Sequence, residues 1–209
     1  SLVKCSKTIF HYLYLYYKQI MNERAKAILH FWFNETSMDE KFSNNELFDQ
    51  KIKDNFYADY QKAINDEYST WKNNTKECLA LIIMLDQFSR NLFRNNSKAF
   101  AMDTKARLIT YEAINRDYFK ELSADEVLFM ILPLIHSENL SDHIHFYKVF
   151  DICFKHHPKF QEAKKMNNIH TDIIKIFGRY PYRNEVLGRK STKKEIKYLN
   201  TTHHKFFKI

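Results

Sequence analysis

The spacing of apolar positions along the chain is helical almost throughout. From Glu46 onward, Phe48, Ile52, Phe56, Tyr60, Ile64, Tyr68 and Trp71 recur every three or four residues. That spacing puts them on one face and predicts a long amphipathic helix. Ala27, Ile28, Phe31 and Trp32 predict a short helix before it. Thr75 is placed to cap the next, which runs through Leu79, Ile82, Ile83 and Met84 to about Phe88. Ser97 is the expected cap of another, with Phe100, Ala101, Ala106, Leu108, Ile109 and Ala113. Ser123 and Glu126 frame a capping box that opens a very apolar helix, which Pro133 must kink or end. A helix from Ser141 towards His157 and one from Pro158 to Phe177 follow, the second stopped by Gly178. Thr192 and Glu195 form a second capping box before a short last helix.

With 2 glycines and 3 prolines in 209 residues, little is left for the tight turns of a many-stranded fold. The expected class is therefore all-α: about eight helices in antiparallel hairpins, forming a single compact domain over residues 21–200. No clear 34-residue repeat marks a helical solenoid.

Charge changes the picture only at the ends. The net charge is +8, yet residues 21–189 hold 24 basic and 24 acidic side chains. The excess sits in residues 1–20 and in the last twenty, which include a basic C-terminal tail at 201–209. A basic stripe on a folded face is not implied, so no specific nucleic-acid partner is expected. The aromatic run Ile9 to Tyr17 is too short to span a membrane. Because Met21 begins a stretch that reads as a fresh start, residues 1–20 are expected to be a non-native or disordered extension. Cys5, Cys78 and Cys153 are odd in number and far apart, with no Cys-x-x-Cys. They point to a reducing, cytoplasmic setting rather than to a disulfide framework or a zinc site.

The candidate chemistry lies with the arginines. Only eight of the 33 basic residues are Arg, and five of those fall in two stretches, Leu85–Arg94 and Phe177–Arg189. In a chain that otherwise uses lysine, arginine is most informative where a planar two-pronged donor is needed. The first stretch supplies Asp86, Gln87, Arg90 and Asn91, with Asp86 and Arg90 one helical turn apart on a shared face. The second supplies Arg179, Arg183 and Asn184, between both of the glycines and beside Pro181. A loop stiffened in this way holds side chains in place. A third polar cluster, His136, Ser137, Glu138 and Asn139, follows Pro133. His136 and Glu138 are two residues apart and do not converge on a helix, so no metal site is expected. His170 sits on the helix leading into the arginine loop.

These stretches resemble an uncharacterised, mostly bacterial family, domain of unknown function 924. The resemblance rests on LHFWF (29–33), LALIIMLDQFSRN (79–91), AFAMDTKA (99–106), LPLIHSEN (132–139), His170 and FGRYPYRNEVLGRKST (177–192), with Glu195 and Leu199 after it. It covers about residues 27–200 in order. It implies a helical fold similar to tetratricopeptide repeats and supports a start near Met21, but supplies no reaction. The family usually has His at Tyr182, Phe at Tyr180, Asp at Asn139 and Gln at His143.

Three functional expectations follow. The arginines could present an anion-binding face to a small molecule or an acidic peptide, without a cofactor. His136 or His170 could act as a general base, oriented by Glu138 or Asp86, in a hydrolase-like enzyme. Or the arginines could only pair with carboxylates and lock helices together.

Overall fold

A computed structural model of the protein describes residues 21–201. The expected extension at 1–20, and all of the basic tail except Thr201, lie outside the described residues.

The described chain is helical, with no strand among the described residues. Helix α1 (Glu23–His30) runs into a wide π turn, Phe31–Glu35, and a short α2 (Met38–Phe42) follows. The long amphipathic helix is α3 (Glu46–Ile64), ending one turn before the 3-10 turn that carries Trp71. Helix α4 (Thr75–Ile83) passes through a second π turn, Met84–Phe88, into α5 (Ser89–Leu92). Then come α6 (Asp103–Asn115), α7 (Ala124–Ile135), α8 (Leu140–Phe154), α9 (Phe160–Phe177) and α10 (Lys193–Leu199).

Both expected capping boxes form, at Ser123 and at Thr192. Three other starts differ from the sequence expectation. Asn74 rather than Thr75 caps α4, and Asn139 rather than Ser141 precedes α8. Asn96, not Ser97, caps only a 3-10 turn, and α6 begins six residues later. In each case an Asn side chain, one or two residues upstream, accepts from the backbone N–H groups that the first turn leaves without partners. Thr75 instead donates its hydroxyl to Glu121 at 2.6 Å. Pro133 falls inside the last turn of α7, which ends two residues later.

The core is aromatic. Trp32 meets Phe129 of α7 at 5.4 Å between ring centroids, and Phe56 of α3 meets Phe88 at 5.4 Å. Helix α4 is buried on nearly all sides, packing against α1, α6 and α7. Its continuous apolar run, Leu79 to Leu85, needs that enclosure. No described helix is long and apolar enough to cross a membrane.

Gly178 ends α9 in the left-handed region at φ 68°, and Gly188 repeats that conformation at φ 65°. A Cβ added to Gly178 would meet nothing within 4 Å, so only the backbone penalty remains. Gly178→Ala is expected to cost about 1–2 kcal/mol, measured by urea unfolding.

Candidate functional site

The Phe177–Arg189 stretch is latched to the end of α7. Arg189 grips Glu138 with both prongs, at 2.6 and 2.9 Å, and donates to the Tyr180 carbonyl at 3.1 Å. Glu138 also accepts the Tyr180 N–H at 2.8 Å. The Tyr180 hydroxyl donates to the Ile135 carbonyl, which the end of α7 leaves without a helical partner. On the other side, Arg179 holds Glu195 of α10 at 2.6 and 2.9 Å. Asn184 is buried, donating to Ser191 and accepting from Arg189, each at 3.0 Å. Arg179, Asn184 and Glu138 therefore build the loop.

Inside this latch, seven side chains from five parts of the chain close a ring. Asp86, on the π turn after α4, lies 2.8 Å from Nδ1 of His136 and 3.1 Å from Arg90. Arg90 lies 3.1 Å from Asp103 at the start of α6, and Asp103 lies 3.1 Å from Arg183 through its other oxygen. Arg183 lies over the rings of Tyr180 and Phe100, at 4.6 and 4.5 Å. Tyr180 meets His170 at 6.0 Å, and His170 meets His136 at 6.3 Å between ring centroids. The circuit returns to Asp86. The wide π turn helps build it, because it re-aims one turn of an otherwise apolar helix; such turns often sit at functional sites.

The two guanidiniums are buried, at 6% exposure for Arg90 and 4% for Arg183. Neither is saturated. Nε of Arg90, and Nε and Nη2 of Arg183, are buried without a hydrogen-bond partner among the described residues. The pair Arg90 Nη2 and Asp103 Oδ1 is close enough for charge attraction but not aligned as a hydrogen bond. On Arg183 the two unpartnered donors form one side-on edge of the guanidinium, the edge that takes two oxygens of a carboxylate or phosphate.

Burial would raise the Asp86 pKa, but Arg90 and His136 outweigh it and hold the carboxyl below the usual range. Burial also holds His136 below its ordinary value against the pull of Asp86, with Arg90 adding to the depression. His170 is pushed down to about 3, first by burial and then by His136. His143, fully buried, is lowered by burial. These histidines are neutral in the fold near pH 7 and titrate near 6.5 when unfolded. Between pH 6.5 and about 3 the unfolded chain binds more protons than the fold does at His170, so stability falls as pH falls through that window. Urea unfolding at pH 7 and pH 5 is expected to show a loss of up to ~1.4 kcal/mol per pH unit from His170, with His136 and His143 acting in the same direction. His170→Asn is expected to shrink that difference.

Of the residues singled out from sequence, Asp86, Gln87, Arg90, His136, His170 and Arg183 come together here. Gln87 donates to Asp86 at 2.5 Å. Asn91 does not join them. It donates to Asp49 of α3 at 2.8 Å, beside Arg94, which clasps the same carboxylate at 2.6 and 2.7 Å. Sequence reasoning missed Asp103, which spaces the two guanidiniums, and the wall Phe100; Tyr182 stood out only as a departure from the family pattern. A signal was present, since Phe100 and Asp103 both lie in the AFAMDTKA stretch that carries the family resemblance.

The departures from the family pattern now separate. Asn139 caps α8 by accepting from Ser141 N–H at 3.1 Å, a task an Asp performs equally well. His143 bridges the Ser137 carbonyl and the Thr171 hydroxyl, at 2.9 and 3.0 Å, away from the ring. Tyr182 is different. Burial raises its phenol pKa, while the charges of Arg183 and Arg90 and the approach of its hydroxyl to the Arg183 N–H groups pull it down. That approach is not aligned as a hydrogen bond at Nε or Nη2 of Arg183.

The fold and the site define an all-helical protein with a buried arginine–carboxylate–histidine ring. The chain belongs to the family described as "Bacterial protein of unknown function (DUF924)", whose sequence profile matches residues 28–203. It is similar to a solved protein of unknown function, ATU0120 from Agrobacterium tumefaciens. The two share 31% identity over 84% of this chain and 96% of that one, with a TM-score of 0.74. No curated protein matches the chain.

Proposed function

We propose that this protein binds an anionic group, on a small molecule or at the acidic end of a peptide, through Arg183 with Arg90 beside it. The observation that carries this reading is the unpartnered side-on edge of Arg183 in a side chain 4% exposed. Each buried N–H without an acceptor costs about 1–3 kcal/mol, a penalty that a bound oxyanion would remove. A purely structural network would be expected to engage every nitrogen of its guanidinium, as Arg189 does with Asn184, Glu138 and the Tyr180 carbonyl. The tetratricopeptide-like arrangement implied by the family resemblance would suit a peptide terminus, by analogy only. Cys78 and Cys153 are free thiols, which supports a reducing, cytoplasmic setting. The domain spans residues 21–200 in this reading and needs no cofactor.

A second reading is a hydrolase-like enzyme, and the contact between His136 Nδ1 and Asp86 favours it. A carboxylate at Nδ1 fixes the tautomer and leaves Nε2 as the proton acceptor, as a general base requires. Among the described residues no hydrogen bond occupies that nitrogen.

Titration of nitrogen-15-labelled protein with formate and with sulfate tests the binding reading. The Arg183 Nε–H signal is expected to move with at least one of them. A signal indifferent to both would remove the reading.

A further inference from the structure

The charges around the ring are balanced before any anion arrives. Arg90 and Arg183 carry two positive charges, and Asp86 and Asp103 carry two negative ones. The next pair outward, Arg189 with Glu138, is balanced within itself. A bound monoanion would therefore leave one negative charge uncompensated among groups that are mostly withdrawn from water. The cost of an unpaired charge there is high, and a titratable neighbour commonly changes protonation state instead.

One neighbour is built to do so. His136 is 12% exposed and fixed at Nδ1 by Asp86, with its other nitrogen free of hydrogen bonds among the described residues. Asp86 and Arg90 face it from the α4–α5 segment, and Asp103 faces it from α6. His170 of α9 lies across from it, and a proton on His136 disfavours one on His143 of α8. His170 is the poorer proton acceptor, since burial depresses it first and His136 and Arg183 add to that.

We infer that the site takes its anion together with a proton, the anion on the side-on edge of Arg183 and the proton on Nε2 of His136. This rests on the anion-binding reading and adds the linkage that reading lacks. The ligand class is an oxyanion with two oxygens on one face, a carboxylate or a phosphate, and its affinity rises as pH falls. The balance is simple: water supplies the proton, the imidazole becomes imidazolium, and the complex gains no net charge from a monoanion.

The test follows two signals in one titration at pH 7, the Arg183 Nε–H group and the ring nitrogens of His136. Formate serves as a planar monoanion and sulfate as a tetrahedral dianion; neither titrates between pH 5.5 and 8. The expected result is that both signals move together and that His136 passes from the neutral Nδ1–H tautomer to imidazolium. Formate affinity should tighten by up to tenfold per pH unit between pH 8 and 5.5. His136→Asn keeps a donor for Asp86 but cannot take the proton, so its affinity should be weaker and flat with pH. A stronger response to sulfate than to formate would assign the phosphate class, and the reverse the carboxylate class. Movement of Arg183 while His136 stays neutral would overturn this inference and leave the binding reading standing. No movement of Arg183 with either anion would overturn both.

Discussion

Exchange of Arg183 for methionine is expected to weaken anion binding by roughly 30-fold or more while leaving the melting temperature unchanged or higher. Methionine fills much of the same volume over Phe100 and Tyr180, so no large cavity opens. Two buried N–H groups without acceptors disappear with the guanidinium, a gain of about 1–3 kcal/mol each. Against that stands the lost attraction to Asp103. That carboxylate keeps Arg90 at 3.1 Å and is 19% exposed, so water reaches it. The two effects nearly cancel. Circular dichroism with thermal unfolding measures the stability, and isothermal titration with formate or sulfate measures the affinity. A melting temperature far below wild type would mean that Arg183 is a structural staple.

Asp86→Ala is expected to have the largest effect on stability. Asp86 is fully buried and answers three partners at once, Arg90, His136 and Gln87. Its removal leaves Arg90 buried at 6% exposure with only the Asp103 carboxylate beside it. Breaking a buried pair on one side costs about 3–5 kcal/mol. For a domain of this size that is a fall in melting temperature of roughly 6–20 °C. Asp86→Asn keeps the shape but loses the charge, and should fall between wild type and Ala. Equal stability of all three proteins would mean that the ring is not held from Asp86.

The helical class, the long α3, the two capping boxes and the Gly178 stop were legible in the sequence because each depends on local spacing. The caps at Asn74, Asn96 and Asn139 were displaced because Ser and Thr neighbours offered competing signals, and only backbone geometry decides which side chain turns back. The two π turns were not legible. A five-residue widening leaves the apolar run Leu79 to Leu85 unbroken, yet it is what swings Asp86 and Gln87 towards His136. The arginines stood out by their rarity among lysines, but rarity could not say which carboxylate each would meet. Arg179 and Arg189 took Glu195 and Glu138, while Arg183 shares Asp103 with Arg90. Those pairings join residues far apart in the chain, and spacing carries no record of them.

The most direct measurement is the melting temperature of wild type and of Arg183→Met, each with and without formate or sulfate at about one hundred times the wild-type Kd. Binding to the fold alone stabilises by about 2.7 kcal/mol at that concentration, which raises the wild-type melting temperature by roughly 5–10 °C. The prediction is that wild type shifts by this amount and Arg183→Met, still folded, does not shift. An equal rise in both proteins, or none in wild type, would contradict the assignment of Arg183 as the anion receptor.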